Sequence, residues 1–387
     1  MEIKHGRISA DSHAAFDRDA FTARMSVSKW GDRIPHVASV EKDGKIEDGW
    51  SIYGKPPRGG PCNCPALMGE PFPHWPTRWE EVPRAAYDPE ERLKALDKDG
   101  VDAEVLFPNP PGASYWSTGD AAFELDAIRA YNDILSDWVR TSDRYWPLAG
   151  VPWLQEPTTI ARESERAVAG GHRGINVPAR TDTRGLQTIT DPRWDPLWDV
   201  CQELGVPVHF HGTVGLDQGW GPQATSGRWS GYTVRQGHTV STSLCPVGPS
   251  RIIPQLIFSG ITERFPRLKV VFAEEGIGGL MYAMAACDYE WESRRLWADG
   301  ITTRPSEVIR RQMYANFWFE TEGLKMRDQI GVDNIMWESD FPHVTAYYPR
   351  SAEVADKMVA DVPAEERRKI MYENALRVYQ VEATVVA

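Results

Sequence analysis

Val206-Pro207-Val208-His209-Phe210-His211-Gly212 reads as a short buried strand that ends in two histidines and stops at a glycine. Val206, Val208 and Phe210 alternate with Pro207, His209 and His211, so a period of two puts both imidazoles on one face. Each ring nitrogen needs a partner when buried, and a strand interior has little use for two such rings side by side. A single histidine here would read as a satisfied core residue. A His-x-His at a strand end, in a chain with nine histidines, points toward a metal site, because neutral imidazole is the commonest metal ligand.

Working outward, strands and helices alternate on both sides. Toward the N-terminus the pattern predicts a helix over Trp194–Leu204, a strand over Arg173–Val177, a helix over Thr158–Ala169 and a strand over Trp146–Trp153. Before these lie a helix over Phe123–Asp143, a strand over Val101–Phe107 stopped by Pro108, a helix capped by Asp88-Pro89, and a first strand, Arg7–His13. Toward the C-terminus, a Gly- and Ser-rich loop (212–248) precedes a helix over Pro249–Phe265 and a strand over Leu268–Ala273. A helix over Gly278–Trp297, strands over Tyr314–Phe319 and Asn334–Trp337, and a helix over Ala364–Tyr379 complete the chain. Eight near-continuous apolar strands separated by helices predict an α/β fold, the (β/α)8 TIM barrel. A doubly wound sheet shares the alternation, but no Gly-x-Gly-x-x-Gly follows the first strand. The expected organisation is a single metal-dependent barrel domain over 1–387. Residues 17–87, rich in Trp and Pro, form an ordered insertion after the first strand that caps the mouth or makes a subunit interface; Lys55–Pro61 within it also reads as a surface linker.

Composition narrows the class. With 387 residues, 25% charged and 41% hydrophobic, the chain is globular and long enough for a large core. A net charge of −12 argues against nucleic acid and anionic membranes as partners. Five scattered cysteines do not make a disulfide framework. No leader-like opening and no run near the ~18 apolar residues of a membrane span is visible, so the expected location is cytoplasmic.

In a barrel of this kind the active site gathers at the C-terminal ends of the strands. The first strand ends with Asp11 and His13, the fifth with His209 and His211, the sixth with Glu274 and Glu275, and the eighth with Asp340, followed by His343. Histidines mixed with carboxylates suit zinc, manganese or iron rather than calcium or magnesium. Each residue also has a plainer reading. Asp11 and Asp340 can cap turns, Glu274 and Glu275 can open a helix, and His343 can sit behind the ligands or touch substrate.

Several segments resemble the amidohydrolase-related family (amidohydrolase 2) of the metal-dependent amidohydrolase superfamily. They are Ala10-Asp11-Ser12-His13, Gly205 through Gly212, Phe265-Pro266-Arg267-Leu268-Lys269-Val270-Val271, Gly331 through His343 with its Ser339-Asp340-Phe341-Pro342-His343, and Glu373 through Tyr379. The resemblance runs from residue 8 to about 380. It implies a metal-dependent barrel that hydrolyses C–N or C–C bonds or decarboxylates small acids, with His13, His211 and Asp340 at metal-ligand positions. Two departures stand out: His13 is followed by Ala14-Ala15-Phe16, and Glu274 stands where relatives place a catalytic histidine.

The expected activity is therefore a metal-dependent hydrolase or decarboxylase acting on a small carboxylate or carbonyl compound. The expected metal ligands are His13, His211, Asp340, Glu274, Asp11 and His209; the expected catalytic groups are Asp340, Glu274 and His343. Zinc is the first choice of cofactor, with iron or manganese if the chemistry is an O2-dependent dinuclear hydroxylation. A non-catalytic subunit of a hetero-oligomer is a third reading. The partners are a small-molecule substrate and further subunits of a homo- or hetero-oligomer.

Overall fold

The computed structural model describes residues 1–57, 60–69, 74–109, 111–112, 118–178, 181–182, 185–212 and 231–386. Residues 213–230 of the Gly- and Ser-rich stretch after the fifth strand therefore lie outside the described residues, as do Arg58 and Gly59 of the Pro-rich segment. By internal packing the chain divides into two compact units: residues 1–173 with 339–354 and 385–387, and residues 174–338 with 355–384.

The first unit holds three parallel strands, β1 (Ile8–Ala14), β2 (Ala103–Pro108) and β3 (Tyr145–Ala149), paired in that order. All seven residues of β1 are buried, as a strand covered on both faces requires. The β1–β2 register shifts between Ser9 and Ser12, an irregularity of the kind that re-aims side chains beside active sites. The helices are α1 (Pro89–Asp99), α2 (Ala121–Thr141) and α3 (Pro157–Ala169). Asp88 caps α1 by accepting from Glu90 and Glu91 N–H, and Gly100 ends it in a left-handed conformation, as the sequence predicts.

The insertion is built rather than loose. Strands His36–Lys42 and Lys45–Ser51 form an antiparallel hairpin around Asp43 and Gly44, both at positive φ (53° and 74°), the requirement of a tight hairpin turn. Trp50 packs edge-on against Phe21 and Trp79. The Ala66 N–H donates to the Pro342 carbonyl at 3.1 Å, which ties the insertion to the turn beyond Asp340.

The second unit holds five parallel strands, β4 (Gly174–Asn176), β5 (Val208–His211), β6 (Val270–Ala273), β7 (Met313–Phe317) and β8 (Ile335–Trp337), paired in sequence order. Between them lie α4 (Asp195–Leu204), α5 (Gly248–Phe258), α6 (Gly278–Arg294) and α7 (Pro305–Gln312). The helix expected over Pro249–Phe265 is two helices, because Gly260 turns left-handed (φ +77°) and restarts the chain at Ile261. The last helix also departs from regularity, widening to a π-turn over Lys369–Glu373. Three parallel strands in one unit and five in the other, with helices between them, supply the parts of a (β/α)8 barrel.

Among the described residues no helix is long and apolar enough to cross a membrane, and no disulfide joins the cysteines, all of which are buried.

Candidate metal centre

In the first unit the chain is laced together where β1 meets residues 339–341. Ser339 N–H donates to Ser9 Oγ (2.9 Å), Asp340 N–H to the Asp11 carbonyl (3.0 Å), and His13 N–H to the Phe341 carbonyl (2.7 Å). This lacing sets Asp11 and His13 against Asp340. The His13 Nε2 lies 3.3 Å from Asp11 Oδ1 and 3.2 Å from Asp340 Oδ1, and His343 Nδ1 lies 3.0 Å from the same Asp340 oxygen. Ligand atoms of His13, Asp340 and His343 all fall within 4.8 Å of one another. Asp340 adopts φ 53°, a left-handed conformation that Asp tolerates better than most residues.

Asp11 and Asp340 are both fully buried. Burial, with the charge of Asp340 beside it, holds the Asp11 carboxyl well above the usual carboxylate range. Burial pulls Asp340 the same way, but the charge of His343 and the hydrogen bonds from His13 and His343 outweigh it and hold that carboxyl low. Two acids buried side by side with two imidazoles are a donor set that fits a divalent cation, whose charge would relieve the repulsion between the carboxylates.

The support behind this cluster is a buried ion pair. Arg92 on α1 forks onto Glu104 of β2 through two 2.8 Å hydrogen bonds, and both side chains are fully buried. The guanidinium also donates to the Phe341 carbonyl at 3.2 Å and lies 4.2 Å over the Phe341 ring. It thus holds the peptide that His13 also grips.

Asn109, directly after β2, contributes a contact that the sequence reading does not single out: its Oδ1 lies 3.2 Å from His343 Nε2. The available signal was a polar residue at a strand end between two prolines, Pro108-Asn109-Pro110.

In the second unit, His211 at the end of β5 stands 3.6 Å (Nδ1 to Oε2) from Glu274, which follows β6. Glu274 turns at φ 55°, and its N–H donates to Glu338 at 3.1 Å. Of the two acids, Glu274 is the one within ion-pair distance of His211; Glu275 beside it is fully buried. His209 is engaged elsewhere. Its Nδ1 lies 3.3 Å from the Ile175 carbonyl and its Nε2 2.9 Å from the Tyr379 hydroxyl, and burial pushes its pKa down to about 3. A neutral ring donating from Nδ1 and accepting at Nε2 satisfies both contacts.

Residues 13–381 match the family described as Amidohydrolase. Among curated proteins, the chain is 24% identical over 287 residues to a 2-amino-3-carboxymuconate-6-semialdehyde decarboxylase of Dictyostelium discoideum (73% of each chain). It is 24% identical over 334 residues to a gamma-resorcylate decarboxylase of Rhodococcus jostii (79% of this chain, 92% of the relative). Among solved structures, an amidohydrolase of Mycobacterium avium subsp. paratuberculosis superposes with TM-score 0.72 at 19% identity, covering 96% and 98% of the two chains. A dihydroxybenzoic acid decarboxylase of Polaromonas sp., with bound manganese and the inhibitor 2-nitroresorcinol, superposes with TM-score 0.62 at 19% identity, covering 98% and 97%. The fold is the (β/α)8 barrel of the metal-dependent amidohydrolases, as the strand count predicts.

Proposed function

The chain belongs to the amidohydrolase family, and from that premise we propose that it decarboxylates a small aromatic carboxylate at a divalent-metal site. The observation that carries this reading is the convergence of His13, Asp340 and His343 within 4.8 Å of one another, in a chain whose curated relatives are decarboxylases. Those relatives favour decarboxylation over hydrolysis, over O2-dependent hydroxylation and over a non-catalytic subunit.

His13 and Asp340 would hold the ion with Asp11, and the resemblance adds His211 and Glu274 as further ligands. A bound divalent ion supplies positive charge that polarises substrate oxygens and acidifies bound water toward ~7. Manganese in a relative's structure puts that metal beside zinc as the candidate. His209, bonded through both ring nitrogens, orients β5 rather than ligating.

Loss of CO2 breaks a C–C bond and leaves the electron pair on the ring carbon, which must then take a proton. His343 would hold that proton, with Asp340 orienting one of its nitrogens and Asn109 the other. Asp340, whose carboxyl is held low, could act as donor only after itself taking up a proton. In the hydrolytic alternative the same carboxylate would accept a proton from water.

The remaining expectations stand with this reading: a cytoplasmic enzyme whose insertion (17–87) belongs to the barrel domain and meets another subunit. The functional test is CO2 release from a panel of hydroxybenzoates by protein loaded with manganese or zinc, alongside elemental analysis. Ammonia or alcohol release from amide or ester substrates, with no CO2 from any benzoate, would overturn it; a monomer at all concentrations in size-exclusion chromatography would remove the subunit contact.

A further inference from the structure

We propose that Asn109 binds substrate: its side-chain N–H donates to an oxygen of the carboxylate that is to be lost. This inference rests on the decarboxylase reading and names the group that recognises the departing carboxylate.

Asn109 is 2% exposed. Its Oδ1 faces His343 Nε2 at 3.2 Å, so Nδ2 points away from that ring. The Nδ2 is buried and has no hydrogen-bond partner among the described residues. Gly112 N–H donates to the Asn109 carbonyl at 2.7 Å, which ties down the main chain of Asn109. The amide is thus pinned through its carbonyl oxygen and its main chain, with a donor left over.

Buried donors without acceptors are rare and cost free energy, and a specific one asks for an explanation. An acceptor that arrives with the ligand supplies it. A carboxylate is acceptor-only, and a hydrogen bond to it is stronger than one to a neutral oxygen. The neutrality of the amide matters too. A lysine or arginine there would stabilise the ground-state carboxylate and oppose its loss, whereas an amide orients the group without adding that charge.

The test uses manganese-loaded full-length protein, its Asn109→Ala and Asn109→Asp variants, and calorimetric titration with 2-nitroresorcinol, whose nitro oxygens stand in for the carboxylate. Resorcinol, which lacks them, is the control ligand. Asn109→Ala is expected to weaken 2-nitroresorcinol roughly 10–100-fold while leaving resorcinol and the manganese content unchanged. Asn109→Asp, the same shape with an acceptor in place of the donor, is expected to weaken it further, and it carries the comparison if the alanine variant does not fold. Equal affinity in wild type and variants, an equal loss for resorcinol, or loss of manganese from the variants would overturn the role of Asn109. Failure of loaded wild type to bind 2-nitroresorcinol at all would overturn the decarboxylase reading itself, and with it this inference.

Discussion

The imidazoles of His13 and His343 stack with centroids 3.8 Å apart and 19° between planes, and each sends a nitrogen to the same oxygen of Asp340. That oxygen is the shared point of the cluster, so Asp340 is the residue whose change should disturb both rings at once. Asp340→Asn keeps the shape and removes the charge. It should lower the bound metal per chain and cut CO2 release by at least about 100-fold. Chelation should abolish activity in wild type, and added manganese should restore it. Full metal occupancy and activity in Asp340→Asn would remove this carboxylate from the site.

The two histidines of β5 should separate cleanly. His211→Ala should lower metal content, whereas His209→Phe should keep it, because His209 is bound to Ile175 and Tyr379. Tyr379→Phe should cost about 1 kcal/mol of stability with metal unchanged. Elemental analysis and denaturant melts read these outcomes; loss of metal in His209→Phe would return that residue to the ligand set.

The Arg92–Glu104 pair makes a sharper stability prediction. Arg92→Met strands a buried carboxylate and should destabilise by about 3–5 kcal/mol. Replacing both residues with Met should recover most of that in urea unfolding. Because the guanidinium also holds the Phe341 carbonyl, the double variant should nevertheless bind metal more weakly. Wild-type metal affinity in a folded double variant would show that the pair supports the fold alone.

Glu124 on α2 supplies a pH signature. Its Oε2 accepts from the Leu154 N–H at 2.7 Å, and burial pushes its pKa up from 4.5 to about 7. A folded-state value above the unfolded one means that the stability it contributes is full below about 4.5 and is lost as pH rises toward 7, about 3 kcal/mol in all. Glu124→Gln should flatten that part of the stability profile and raise the melting temperature at pH 8. An unchanged slope between pH 4.5 and 7 would contradict the assignment.

Gly276→Ala should damage the second unit. At φ +63° a new Cβ would overlap Glu320 Oε1, the atom that accepts from Ile277 N–H at 2.7 Å. A loss of more than about 2 kcal/mol is expected, and Glu320→Ala in the same chain should recover part of it.

Much of the fold was legible because barrel strands are covered on both faces and so appear as unbroken apolar runs: all eight expected strands are present within a few residues of their expected bounds. The hairpin at 36–51 was not read, since none of the residues of its first strand is buried and they leave no clean alternation, although Asp43-Gly44 marks its turn. Helix α7 was also missed: eight residues opened by Pro305 give little room for a helical period. Asp11, His13, Asp340 and His343 were visible as polar residues at strand ends. The partners of His209 were not, because Tyr379 lies 170 residues away and no local window contains both. Asn109 carries no motif, and its position becomes informative only once His343 is seen beside it.

The left-handed backbone at Asp340 limits how the proposed centre can diversify. A new side chain there must suit both the chemistry and a main-chain shape that most residues resist, so few exchanges are open at position 340 beyond asparagine or glycine. Variation among descendants of this chain is then expected to accumulate at positions such as 109, whose backbone lies outside the left-handed region. The cation's anchorage would stay fixed while the choice of molecule it acts on drifts.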